Sequence, residues 1–217
     1  MYGMNYTECG GAPLTMADIL PSVGWQSDSD QIQVAYTDAG GNIQFESYFY
    51  FDYDPNWINF TDPEGWYDAA GDKVNIDLPA CLGFWISTGM NQAITVAGEV
   101  IPSATVPYAL TGGNFEMLAN AWPIKLDPNT DFSVTVGQFT SDADQIQVAY
   151  ADAGGNIQFN SYFFFDYDPN WINFTDPEGW YDAAGDKVAG AIIQPNQGFW
   201  LFAANPVTFE IATPVVQ

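Results

Sequence analysis

The sequence predicts an all-β chain of two tandem sandwich- or barrel-like modules produced by an internal duplication, spanning residues 1–101 and 102–217. Three observations carry that prediction. Residues 27–74 recur as residues 141–188, 114 positions later, and only Ser29/Ala143, Thr37/Ala151, Glu46/Asn160 and Tyr50/Phe164 differ. A unit repeated at this fidelity, with flanks that diverge freely, reads as one structural element used twice. Polar–apolar alternation recurs along the chain, and Gly, Pro, Asn and Asp clusters punctuate it at short intervals, the pattern of a sandwich or barrel.

Taken in order, Gln31–Tyr36 alternates so that Ile32, Val34 and Tyr36 share one face. The Asp38-Ala39-Gly40-Gly41-Asn42 segment tolerates positive φ, and Ile43–Phe45 resumes the alternation, which predicts a β-hairpin. Tyr48–Phe51 is aromatic on both faces and so expects cover on both. The segment from Asp52 to Tyr67 is broken into turns by two Pro, a Gly and its acidic residues, with Trp57, Ile58, Phe60 and Trp66 as apolar anchors. A Gly-Phe-Trp step follows in each copy, at Gly83–Trp85 and Gly198–Trp200, and last strands follow at 93–100 and 206–213.

Before its copy of the repeat, the second module carries Ala104–Leu110, which reads as a leading strand. Pro13 aligned with Pro123 sets Met4–Thr7 opposite Asn114–Met117, and the first module then lacks that strand and leaves a sheet edge open.

Composition excludes several kinds of chemistry. The 217 residues hold 27 Asp and Glu against three Lys, with no Arg or His, for a net charge of −24. Such a chain repels phosphate backbones and anionic lipid surfaces, which argues against nucleic-acid partners and membrane-surface binding. No apolar run approaches the roughly 20 residues of a membrane helix, so no membrane insertion is expected. Without His there is no Ser-His-Asp machinery and no His-bound zinc. Acid–base catalysis would rest on carboxylates alone, and two near-identical acid–nucleophile pairs with no His or Arg to orient a sugar argue against a glycosidase. No enzymatic activity is expected.

Candidate sites each carry a plainer alternative. Asp52, Asp54, Asp62 and Glu64, with Asp166, Asp168, Asp176 and Glu178, could hold Ca²⁺, but their spacing is not that of an EF-hand and suits Asx turns better. Asn5, Asn59 and Asn173 open N-x-Thr glycosylation triplets. The eight Trp could form a sugar-stacking platform or pack the core. Cys9 and Cys81 are the only cysteines, both in the first copy, with Ala119 and Asn196 at the aligned positions, which suggests a disulfide in an oxidising compartment. Met1–Gly11 has neither the basic start nor the apolar stretch of a signal peptide, so a secreted form would begin at or near a processed end.

The late Gly-Phe-Trp step in each β-rich unit, with Pro79 or Pro195 before it, resembles the repeated modules of bacterial secreted and cell-surface proteins. That resemblance implies an extracellular or cell-surface location and carries no active-site residues with it. The expected function is that of an extracellular structural subunit polymerising head to tail with itself. Met1, Tyr2 and Gly3 at one end and Ala212, Thr213, Pro214, Val215, Val216 and Gln217 at the other form the assembly interface. The alternative is a carbohydrate-binding or adhesive surface module that binds glycans.

Overall fold

A computed structural model describes residues 2–3, 6–7, 14–38, 40, 42–52, 64–78, 83–96, 99–100, 105–120, 124–166, 178–195 and 197–212. The chain is all-β, with no closed barrel among the described residues. The N-terminal half opens with three two-residue strands, β1 (Tyr2–Gly3), β2 (Tyr6–Thr7) and β3 (Leu14–Thr15), then β4 (Ile19–Pro21). The repeated segment forms β5 (Gln31–Thr37), β6 (Ile43–Phe51), β7 (Gly65–Tyr67) and β8 (Lys73–Val74). This half continues through β9 (Asp77–Leu78), β10 (Gly83–Ser87), β11 (Ile94–Val96) and β12 (Glu99–Val100).

The C-terminal half runs β13 (Thr105–Leu110), β14 (Phe115–Ala119), the single-turn helix α1 (Pro128–Asp131) and β15 (Phe132–Val136). It then repeats the hairpin as β16 (Gln145–Ala151), β17 (Ile157–Phe165) and β18 (Gly179–Asp182), and ends with β19 (Gly198–Phe202) and β20 (Val207–Ala212). No helix among the described residues is long and apolar enough to cross a membrane.

The large sheets share a strand order. In the N-terminal half it is β1-β10-β5-β6-β7-β8, and in the C-terminal half β14-β19-β16-β17-β18. The two hairpins pair in the same register, Ile32 opposite Tyr48 and Ile146 opposite Tyr162. Their turns are closed by a carboxylate: Asp38 accepts from the backbone N–H of Gly40 and Asn42 at 2.8 and 2.9 Å, and Asp152 does the same for Gly154 and Asn156. This is the Asx chemistry that makes Asp a turn residue. Lys73 crosses over Gly65 to donate to the Glu64 carbonyl at 2.7 Å, and a Cβ on residue 65 would lie 2.6 Å from the end of the lysine chain, which would have to shift.

The register places Ile32, Tyr48, Tyr50, Trp66 and Phe84 together in the N-terminal core, completed by Met16, Ile19 and Leu78. The corresponding Ile146, Phe164, Trp180 and Phe199 lie in a larger C-terminal core, which also takes Tyr108 and Leu110 from β13. Tyr36 shares the face of Ile32, but the core ends before the hairpin tip and leaves it 48% exposed.

The first strand departs from expectation. Tyr2 and Gly3 pair with Phe84 and Gly83 as Leu118 and Ala119 pair with Phe199 and Gly198. The Pro13–Pro123 alignment is therefore wrong for this strand, and Ala119 corresponds to Gly3 rather than to Cys9.

Candidate functional site

The two halves differ most where their last strands lie. In the C-terminal half β20 is flanked on both sides, by β13 and by β15. In the N-terminal half β11 pairs with β4, through Ile94–Pro21, Thr95–Leu20 and Val96–Ile19, and among the described residues no strand lies on its other edge. Further along, β12 pairs with β2 through Glu99–Thr7 and Val100–Tyr6. The Gly-Phe-Trp steps stand 115 positions apart, so Gln92, Ile94 and Val96 occupy the places of Val207, Phe209 and Ile211.

The backbone of this edge is aimed outward. Ser22 donates its N–H to the Ala93 carbonyl at 2.8 Å, and the Ala93 N–H returns to the Ser22 hydroxyl at 3.1 Å. Bonding direction alternates along an antiparallel strand, so the N–H and C=O of Ile94 point the other way, toward the open side. An unpaired edge of this kind is a template for another strand.

Side chains tell the same story. In the C-terminal half Val148, Phe139, Leu201 and Phe209 are buried beneath β13 and its surroundings. Their counterparts Val34, Trp25, Ile86 and Ile94 are half-buried. Tyr108 of β13 stacks on Phe209 with ring centres 5.1 Å apart and donates its hydroxyl to the Ala119 carbonyl at 2.9 Å. The N-terminal half has no described residue in that place.

Gln92 adds a polar signal. Its Oε1 accepts from the Val23 N–H at 3.3 Å, while its Nε2 is buried without a hydrogen-bond partner. Val207, at the same position in the other half, is buried opposite Leu110. A buried amide left without an acceptor is destabilising, on the order of 1–3 kcal/mol. Sequence reasoning missed Gln92; aligning the halves on their Gly-Phe-Trp steps would have found it as the polar residue at an apolar position.

Each last strand is approached through a loop braced by a buried aspartate. Asp30 accepts from the N–H of Gln26 at 2.8 Å and of Gly89 at 2.7 Å, just ahead of β11. Asp144 accepts from Thr140 at 3.0 Å and from Ala204 at 2.8 Å, ahead of β20. Burial pushes the Asp144 carboxyl above its ordinary range, against the lowering effect of these N–H donors.

Of the expected assembly residues, Tyr2 and Gly3 are seated on β10 of their own chain and Ala212 ends β20. Met1 and residues 213–217 lie outside the described residues, as do Cys9, Cys81, Asn5, Asn59, Asn173, Asp54, Asp168, Asp62 and Asp176. Asp52 and Asp166 are exposed, their N–H groups donating to Ser27 and Ser141 at 3.4 and 3.2 Å. Among the described residues no three acidic or cysteine side chains gather to hold a metal.

Two of the four differences between the copies remove a tyrosine–glutamate bond. Tyr48 donates to Glu46 at 2.7 Å and Tyr50 donates to Glu64, whereas the second copy has Asn160 and Phe164. Burial first, then the Glu64 bond, raises the Tyr50 phenol above its ordinary range, so it stays a donor at neutral pH.

The described tryptophans pack inward. Trp66, Trp180 and Trp200 are buried, and Trp25 and Trp85 are half-buried. Two of them join the halves: Trp200 meets Phe45 edge-to-face at 6.0 Å, and Trp85 meets Phe159 at 6.4 Å. Comparison with protein-family models, curated proteins and solved structures gives no match.

Proposed function

We propose that this chain is an extracellular structural subunit that polymerises head to tail into a filament or surface layer by strand exchange. In this reading it consists of two tandem β-sandwich-like modules from an internal duplication, 1–101 and 102–217, the first with no counterpart of β13 among the described residues. Ala212 is paired with Thr105 of its own chain, so the donor is the segment after it: Thr213–Gln217 of one copy adds to the edge of β11 in the next, a β-augmentation in which main-chain bonds give affinity and side-chain pockets give register. A head-to-tail contact joins unlike surfaces and so extends without closing.

The observation that carries this reading is the unequal flanking of equivalent strands: among the described residues β20 is held between two neighbours and β11 lies against one. A Cys9–Cys81 disulfide, glycans at the N-x-Thr triplets and an extracellular or cell-surface location fit the same reading. Catalysis and nucleic-acid binding have no part in it.

Electron microscopy of the purified protein tests it. Filaments or sheets from the intact chain, lost on deletion of Pro214–Gln217, are expected. Normal assembly of the truncated chain would rule out the tail as donor. A second reading, a glycan-binding or adhesive module, draws on the exposed Tyr36 and Tyr150 near the two hairpin tips. Glycan binding by a chain that forms no polymer would favour it.

A further inference from the structure

We infer that the tail of a second copy enters the β11 edge in one register, with Pro214 opposite Thr95 and Gln217 opposite Gln92. This rests on the strand-exchange reading above and specifies how the donor is recognised. The template lies within the chain: β13 runs antiparallel to β20 with Val106, Pro107, Tyr108, Ala109 and Leu110 opposite Ile211, Glu210, Phe209, Thr208 and Val207. Moved onto β11, those five donor positions lie opposite Val96, Thr95, Ile94, Ala93 and Gln92.

Proline restricts the register to every second position. It has no N–H to donate, so it fits an added strand only where that group would point away from the acceptor. Pro107 lies opposite Glu210, the counterpart of Thr95; bonding alternates from the Ser22–Ala93 pair, which turns Thr95 toward β4 and leaves the Ile94 position facing an added strand. Laying Pro214 in the place of Pro107 sets Thr213 opposite Val96, Val215 opposite Ile94, Val216 opposite Ala93 and Gln217 opposite Gln92. A one-residue slip would put Pro214 where a donor is required and turn every side chain to the wrong face.

The side chains then complement the acceptor. Val215 takes the place of Tyr108, over the half-buried Ile94 and Ile86. Gln217 takes the place of Leu110 and brings an amide oxygen to Gln92, whose buried Nε2 has no acceptor. Where the C-terminal half matches Leu110 with Val207, both apolar and buried, this junction matches two amides. The acceptor therefore discriminates against a strand that ends its apolar face with leucine.

Cysteine cross-linking in the full chain tests the register. The doubly substituted Ala93→Cys/Val216→Cys chain should, on oxidation of assembled material, give a ladder of covalently linked copies, with the 93–216 bond identified by mass spectrometry. Ala93→Cys/Val215→Cys should link at least tenfold more slowly. Gln92→Val and Gln217→Leu should each raise the critical concentration for assembly about fivefold, and the double variant should restore it to within about twofold of the parent. Faster linkage through position 215, or no recovery in the double variant, would overturn the register and leave strand exchange standing. Filaments in which no tail cysteine links to position 93 or its neighbours would overturn strand exchange by the tail as well.

Discussion

Tyr108 offers a sharp test of how a leading strand is held. Its ring is 3% exposed and stacked nearly parallel, at 7°, on Phe209, and its hydroxyl bonds to the carbonyl of the fully buried Ala119. Tyr108→Phe keeps the ring and removes one donor from a buried carbonyl, which should cost about 1–2 kcal/mol. Tyr108→Ala removes the ring as well, and a buried aromatic truncated to alanine costs roughly 3–5 kcal/mol. Ile94→Ala, at the uncovered counterpart of Phe209, should cost about 1–2 kcal/mol, because a half-buried side chain has less apolar area to lose. Urea titrations followed by tryptophan fluorescence, with equal slopes checked across the variants, give the three values. A Tyr108→Ala chain within about 1 kcal/mol of the parent would refute the reasoning, since β13 would not then be a clamped element whose lack leaves a gap.

Acidity should act in two directions. The raised Asp144 carboxyl gives stability that is fully present below its unfolded pKa and lost as pH rises through its folded one. Asp38 and Asp152, lowered chiefly by the Asn42 and Asn156 N–H bonds, give stability present above the ordinary carboxylate range and lost as pH falls below it. Melting temperature should thus rise as pH falls from neutral toward the ordinary Asp pKa of about 3.9 and drop as pH falls further, and Asp144→Asn should flatten the rise. Salt should raise both melting temperature and assembly by screening the −24 charge. Calcium that does no more than magnesium at equal ionic strength would reject the Asp52 and Asp166 loops as calcium sites. Double-mutant cycles on Phe45 with Trp200, and on Trp85 with Phe159, should each return about 0.5–1.5 kcal/mol of coupling. Non-reducing mass spectrometry should find a Cys9–Cys81 bridge, worth about 4 kcal/mol in the chain-entropy picture, and two free thiols would sink it.

Elements with a period of their own were legible in the sequence. Gln31–Phe51 and its copy could be read because alternation sets the pleat and an Asp-rich turn sets the loop. The strand at Thr105–Leu110 was legible for the same reason. Alternation gives a face but not where the core stops, as the exposed Tyr36 shows. Two residues carry no period, and so Tyr2–Gly3 was invisible as a strand; the halves also differ in length after it, with residues 4–13 before β3 against 120–125 before the Leu126–Ile193 bridge. Gln92 escaped because a lone polar residue means little until no strand is found to cover it among the described residues. Packing, not pattern, makes it informative.

The contacts within the chain and the junction proposed between chains differ in kind. Phe45 meets Trp200 and Trp85 meets Phe159, so each pair becomes the other when the copies are exchanged. A contact of that form is isologous: two members satisfy it, and it recruits no third. The edge of β11 cannot be satisfied the same way, because its equivalent on β20 is already covered by β13. On the strand-exchange reading it is met by a different surface, and a different surface on an identical chain is a heterologous contact. In the proposed assembly each chain thus holds one closed junction inside and one open junction outside, which gives linear growth without branching. The charge works in the same direction. Sideways association would bring acidic faces together, whereas an added strand gains main-chain bonds and apolar cover over Ile94 and Ile86. Raising salt far enough should therefore broaden the product from single filaments to bundles without changing the strand junction itself.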